Sequence, residues 1–252
     1  MSTLQGKFVW FELVTRDAKK AQAFYGEVLG WKVTAFPMGD STYEMITAGD
    51  KTVGGYDSAD AGEAAHWTSY LSVTDIDAAV ARVKAEGGKV LAPIRDVPTI
   101  GRMVEIADPT GATLHLHQSA SGDEPDTAAT PAGAFHWNEL WTDDPARALR
   151  FYTTALGYTT TDMDMGPEGT YHLLHQSGAP RAGLMKAKDP KAPNMWLPYV
   201  AVDDADAAAA RASRLGGKVV LPATDIPGVG RFSILLDPAG AAFAVIRPVA
   251  KA

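Results

Sequence analysis

The hexapeptide FVWFEL at Phe8–Leu13 returns almost unchanged as FHWNEL at Phe135–Leu140. Repetition of this kind constrains the fold before any local propensity does. A shift of 127 residues lays Phe8, Trp10, Glu12, Leu13, Asp17, Phe24, Tyr25 and Gly30 on Phe135, Trp137, Glu139, Leu140, Asp144, Phe151, Tyr152 and Gly157. A shift of 129 lays Trp67, Tyr70, Asp75, Gly87-Gly88-Lys89-Val90, Arg102 and Asp108-Pro109 on Trp196, Tyr199, Asp204, Gly216-Gly217-Lys218-Val219, Arg231 and Asp237-Pro238. The chain is a tandem duplication. Its copies occupy residues 1–118 and 134–252, joined by SASGDEPDTAATPAG at 119–133, which has no apolar period and reads as a linker.

Each copy divides again. Asp17, Asp75, Asp144 and Asp204 each follow a strand-like run and open a helical pattern. A carboxylate there accepts bonds from first-turn amides. Ala21, Phe24, Tyr25, Val28 and Leu29 form one helical stripe, and Gly30 suits the left-handed residue that ends it. Short strands follow each helix. RMVEI-ADPTG-ATLHLH and RFSIL-LDPAG-AAFAVI read as strand, turn, strand, with Asp, Pro and Gly where a type I turn prefers them. The pattern is β-α-β-β-β, four times. EGGKV and LGGKV follow helices and read as caps rather than phosphate-binding loops.

Composition narrows the chemistry. The 252 residues contain no cysteine, which removes disulfides, thiolate zinc sites and thiol nucleophiles. The formal charge of -7 disfavours a nucleic-acid partner. No signal-peptide pattern opens the chain, and no apolar run approaches the roughly 20 residues a membrane span needs. A cytoplasmic protein, monomer or homodimer, without membrane or nucleic-acid partners is expected.

TRDAKKAQAFYGEVLGW and TDDPARALRFYTTALGY, with DPTGATLHL and DPAGAAFAV, resemble the vicinal oxygen chelate superfamily: the glyoxalase, bleomycin-resistance and extradiol-dioxygenase group. The resemblance covers nearly the whole chain outside the linker. It implies an α+β fold, with four βαβββ modules paired into two cup-shaped sheets that each enclose a pocket. In metal-using relatives the ligands stand seven residues before the capping Asp and seven after the turn Asp. Here those positions hold Trp10, Thr68, Trp137 and Leu197, then His115 and Ala244; Gly55 and Gly183 stand at the matching strand of the odd modules. One imidazole does not hold a divalent ion where about three protein ligands are needed. No metal cofactor is expected.

Strand alternation, with position 10 placed inward by the resemblance, turns Phe8, Trp10 and Glu12 toward the pocket, and Phe135, Trp137 and Glu139 in the other copy. The same parity places Thr68 and Tyr70 with His115 and His117, and Leu197 and Tyr199 with Ala244. Which modules pair is left open by the sequence. Glu12 and Glu139 are either general bases or carboxylates tied to Arg102 or Arg231. His115 is either their acid partner or a wall residue; His117, near a strand end, is read as solvated. Trp10 and Trp137 either stack on a flat ligand or fill the space of a lost metal. Tyr70 and Tyr199 either bond a ligand carbonyl or pack. Arg102 and Arg231 either clamp an acidic ligand or bridge to neighbouring carboxylates. His172 and His175 flank a hairpin and are read as facing solvent. The favoured function is a bleomycin-resistance-like pocket protein for a small organic molecule. The alternatives are a glyoxalase-like lyase or isomerase, a hydroxylase-type oxygenase using Glu12 or Glu139 with His115, and a scaffold for a protein partner.

Overall fold

The computed structural model describes residues 2–39, 41–189 and 191–249. The first module holds β1 (Phe8–Thr15), α1 (Ala18–Leu29), β2 (Lys32–Met38), β3 (Ser41–Ala48) and β4 (Lys51–Ser58). The second holds β5 (His66–Ser72), α2 (Ile76–Ala85), β6 (Lys89–Val90), β7 (Arg95–Val97), β8 (Gly101–Ala107) and β9 (Thr113–Ser119). The third holds β10 (Phe135–Thr142), α3 (Pro145–Thr154), β11 (Thr159–Asp164), β12 (Thr170–Gln176) and β13 (Ala179–Lys186). The fourth holds β14 (Met195–Ala201), α4 (Ala205–Arg214), β15 (Lys218–Ile226), β16 (Gly230–Leu236) and β17 (Ala242–Pro248).

The hydrogen-bonded strand order is β2-β3-β4-β1-β5-β9-β8-β6 in one sheet, with β7 also on β8. In the other it is β11-β12-β13-β10-β14-β17-β16-β15. The fold is α+β, and each sheet draws its strands from one copy. The expected β-α-β-β-β pattern is met in three modules. In the second, the strand after the helix is broken into β6 and β7 around Pro93, which has no N–H to donate. The matching Pro222 stays within β15, where register shifts absorb it.

All four helices start as their sequences dictate. The carboxylates of Asp17, Asp75, Asp144 and Asp204 accept from Lys20, Ala78, Arg147 and Ala207 N–H at 2.9–3.1 Å. Gly30 closes α1 at φ 74°, a left-handed conformation that costs a glycine least.

Compact packing does not follow the copies. One unit gathers residues 1–10, 68–126 and 137–196; the other gathers 11–67, 127–136 and 197–252. The first unit therefore combines the second and third modules. Its core joins α2, with Ile76, Ala79 and Val83, to α3, with Ala148, Phe151 and Tyr152, and Arg82 Nε donates to the Ala155 carbonyl at 2.8 Å. The second unit combines the first and fourth modules. There Phe24 and Tyr25 of α1 meet Phe243 of β17 edge-on, and Arg211 donates to the Val28 carbonyl at 3.1 Å.

One buried network is built twice, once per unit. Asp108 Oδ1 accepts from the N–H groups of Thr110, Gly111 and Ala112, which fixes its own turn. Its Oδ2 accepts from Tyr152 Oη at 3.0 Å, and Tyr152 Oη accepts from Trp196 Nε1 at 3.1 Å. In the second unit Asp237, Tyr25 and Trp67 repeat the chain at 3.2 and 3.0 Å. Burial, then the neighbouring carboxylate charge, holds both tyrosines protonated well above the ordinary range. Each Asp thus shapes a turn and anchors a helix from a different module. This satisfies groups that would be costly to bury alone.

The linker is held from both ends. In the first unit buried Asp123 accepts from Leu4 N and Ser72 Oγ, both at 2.6 Å, and Asp126 pairs with Arg181 and Lys7. In the second unit the Gly133 carbonyl accepts from Trp31 Nε1 at 2.6 Å.

Candidate functional site

Three side-chain clusters hold Glu12, Glu139, Trp137, Thr68, Tyr70 and His115, which the sequence singled out. The first lies on β10, β12 and β13. Glu139 on β10 pairs in register with Gly183 on β13. Tyr171, from β12, reaches over that glycine. A Cβ at Gly183 would run into the Tyr171 hydroxyl, so only glycine leaves the phenol its place. Tyr171 Oη is hydrogen-bonded to Glu139 and accepts from Trp137 Nε1 at 2.8 Å. Trp141 Nε1 donates to Glu139 Oε1. Desolvation first, then the Glu139 charge, raises the Tyr171 hydroxyl far above its usual range, so it is a proton donor to the carboxylate. Glu139 is 5% exposed.

The second cluster is the same device in the other copy. Glu12 pairs in register with Gly55, and Tyr43 Oη donates to Glu12 Oε1 at 2.5 Å. A Cβ at Gly55 would meet the Tyr43 hydroxyl. Glu12 is 6% exposed. Val14 stands where Trp141 stands in the second copy.

The third cluster brings Thr68, Tyr70 and His115 together as the strand parity requires. Tyr70 and His115 are register partners, and their rings stack at 4.3 Å with 8° between planes. Thr68 Oγ1 lies 3.2 Å from His115 Nδ1. In the second copy Leu197 and Tyr199 are buried, Tyr199 pairs with Ala244, and its ring tilts toward Phe232 at 6.1 Å.

Several expectations need correction. Arg102 and Arg231 do not reach the glutamates. Arg102 pairs with Asp77 and Asp96, and Arg231 with Asp206 and Asp225. Each ties a strand to the first turn of a helix, where an Asp is also favoured by the helix dipole. Arg231 borders a surface cleft of about 450 Å³ with Arg247 and Pro248, but its guanidinium is engaged by the two aspartates. Phe8 packs on Trp196 at 4.9 Å, and Phe135 stacks on Phe11 at 3.9 Å; both join the helix-side cores instead of lining a site. Both ring nitrogens of His117 are buried rather than solvated. His172 is 13% exposed at its side chain and bonds Asp162 at 2.7 Å, and His175 bonds Thr161 at 2.8 Å. Trp10 is half-buried on β1.

Tyr43 and Tyr171 were missed by the sequence reading. A signal existed: Tyr43 and Gly55 map on Tyr171 and Gly183 at a shift of 128, between the two main registers of the repeat.

The positions at which the resemblance places ligands carry indoles, an aliphatic chain, a hydroxyl, small residues and one imidazole, and the Tyr43 and Tyr171 hydroxyls lie where a Cβ of Gly55 or Gly183 would stand. Among the described residues no group of three or more His, Asp or Glu is arranged to hold a metal.

The fold and its repeats define a class, tandem βαβββ proteins, and comparison with known proteins names it. Family models match residues 7–116 as the Glyoxalase/Bleomycin resistance protein/Dioxygenase superfamily and residues 138–246 as a Glyoxalase-like domain. The chain belongs to that superfamily. It is 39% identical over 250 residues to a Mycobacterium bovis protein named "Putative glyoxylase CFP32", covering 97% of this chain and 95% of that one. It is 32% identical to the Anthracycline biosynthesis protein DauV of Streptomyces sp. strain C5, covering 96% and 93%. Among solved structures, 2,2',3-trihydroxybiphenyl 1,2-dioxygenase from Sphingomonas wittichii aligns with TM-score 0.67 at 18% identity, over 98% of this chain and 91% of that one. The Mn(II)-bound glyoxalase of Novosphingobium aromaticivorans aligns with TM-score 0.66 at 20% identity, over 98% and 83%. At such identities these two show the fold alone. No helix among the described residues is long and apolar enough to cross a membrane.

Proposed function

We propose that this chain is a glyoxalase/bleomycin-resistance-like protein that has given up the superfamily's metal and binds a small organic molecule on the strand faces carrying Trp10, Glu12, Trp137 and Glu139. The observation that carries this reading is the pair of tyrosine hydroxyls seated over Gly55 and Gly183, at strand positions where metal-using relatives present a ligand. A relative named for anthracycline biosynthesis supports a planar organic molecule as ligand. The reading also takes the protein to act in the cytoplasm, apart from nucleic acids and membranes.

The test is elemental analysis after incubation with Ni, Zn, Mn or Fe(II) and desalting. Near-zero retained metal is expected. One tight ion per chain overturns the reading.

A second reading, a lyase, isomerase or hydroxylase, is favoured by one feature. His115 is fixed by Thr68 and by stacking on Tyr70, as a group held for proton transfer would be. Activity lost in Glu12→Gln, Glu139→Gln or His115→Gln with unfolding midpoints unchanged would establish it.

A further inference from the structure

We propose that the cleft where the β15–β16 turn meets the end of β17 is a second binding site, for a small organic monocarboxylate held by Arg247. The cleft measures about 450 Å³ and lies wholly within the second unit. That is the size of a small-molecule pocket. Arg231 and Arg247 are register partners and so share one face of the sheet, the face on which α4 lies, because Arg231 reaches Asp206 of that helix. Ala244, three residues before Arg247, points to the other face with its partner Tyr199. The cleft is therefore distinct from the strand faces proposed above, and the inference stands apart from that reading.

Three observations carry it. First, Arg247 is exposed, and its guanidinium has no hydrogen bond or ion pair among the described residues. It acts on Asp206 by charge alone. Arg231 beside it is fully used: Nε and Nη2 donate to Asp206 at 2.6 and 2.9 Å, and Nη1 pairs with Asp225 at 3.1 Å. Second, Arg247 stands where the other copy has a residue that serves the fold. Its counterpart is Gln118, whose side-chain oxygen accepts from Ile76 N–H at 3.0 Å at the start of α2. A guanidinium has no acceptor and cannot do this. The exchange leaves a planar donor fork at the edge of the cleft. Third, the cleft is pre-formed and its walls are largely apolar. Ile226, Pro227, Pro248 and Val249 line it. A Cβ at Gly230 would stand 2.4 Å from the Arg247 carbonyl, so only bare backbone lies there. Val249 N–H donates to the Val229 carbonyl at 2.9 Å, and Val229 N–H to the Ile226 carbonyl at 3.0 Å, which pins both rims. Little ordering is left to oppose binding. A carboxylate matches the free fork, and an apolar body covers the prolines and the valine. Two guanidinium groups face two carboxylates here, so no excess charge draws in a dianion such as phosphate.

The experiment titrates the isotope-labelled full chain with benzoate, with its neutral isostere benzamide and with inorganic phosphate. Amide shifts within residues 225–231 and 247–249 report the cleft, and those of β1 and β10 report the strand faces proposed above. Benzoate is expected to move the cleft amides with an affinity about 10-fold above that of benzamide, the worth of one charge-assisted pair at an exposed site. Phosphate is expected to leave them still. Arg247→Gln should bring benzoate down to the level of benzamide. The Arg247 side chain holds nothing else in place, so this variant should keep the wild-type thermal midpoint. Equal binding of benzoate and benzamide, a preference that survives Arg247→Gln, shifts confined to β1 and β10, or cleft shifts as strong with phosphate as with benzoate overturns the inference. So does the absence of any shift with benzoate.

Discussion

The two copies kept some features alike and let others part. Glu12 with Tyr43 and Gly55 matches Glu139 with Tyr171 and Gly183. The Asp–Tyr–Trp networks also match, bond for bond. The strands of the even modules differ. Thr68, Tyr70 and His115 form a polar, titratable group in the first copy, where Leu197, Tyr199 and Ala244 form a closed apolar one in the second. What was kept is what shapes the fold and the carboxylate centres. What diverged is one wall of chemistry. The copies are therefore alike in construction and unlike in the side chains of their even modules.

The largest test of that equivalence is the pair of turn aspartates. Asp108→Ala removes the acceptor for three turn N–H groups and for a buried tyrosine hydroxyl, and Asp237→Ala removes it for two turn N–H groups and for Tyr25. Each should cost about 3 kcal/mol in urea unfolding, because the orphaned donors stay buried. Unequal losses would break the claim that both units use the device alike.

The glycines come next. Gly55→Ala and Gly183→Ala each push a Cβ into a tyrosine, at a cost of about 2 kcal/mol. Combined with Tyr43→Ala or Tyr171→Ala, the two changes should be far from additive, since each removes the other's cause. Additive losses would show that the tyrosine does not occupy the glycine's space.

How much of this was legible in the sequence depends on distance along the chain. The caps at Asp17, Asp75, Asp144 and Asp204 and the DPxG turns are settled within four residues, so local chemistry reveals them. The duplication is explicit, and the superfamily follows from it. The Glu–Tyr couples link positions 12 with 43 and 139 with 171, which meet only once strand order is fixed. Phe8 and Phe135 pack on Trp196 and Phe11, which come from other modules, and alternation along one strand does not reveal such partners. Of the readings for the arginines, the bridge to neighbouring carboxylates holds and the tie to Glu12 or Glu139 does not, as many carboxylates compete for a long flexible side chain and only the folded register chooses.

A smaller effect separates Phe11 from Asn138, which occupy one position of the repeat. Phe11 buries a ring against Phe135, whereas Asn138 is 1% exposed and neither of its amide atoms finds a hydrogen-bond partner among the described residues. Asn138→Leu should stabilise the chain by about 1 kcal/mol, read as a higher urea midpoint with an unchanged slope. A loss of stability would mean that the amide is serving a partner after all.

The smallest effect is confined to acid. His117 and Ile246 share a repeat position, so only the first copy titrates there. Burial holds the imidazole below its ordinary 6.5, while Asp123 and the Ile100 backbone oppose that shift without cancelling it. The unfolded chain then binds the proton more readily than the folded one between the lowered value and 6.5. Stability is full above pH 6.5 and falls as the pH drops through that window. His117→Ile should remove this part of the acid loss and leave the stability at pH 8 nearly unchanged, as urea midpoints at pH 8, 6.5 and 5 will show. A pH profile identical to that of the wild type would mean that His117 is free to take up its proton in the folded state. The two copies would then differ at this one position in shape alone.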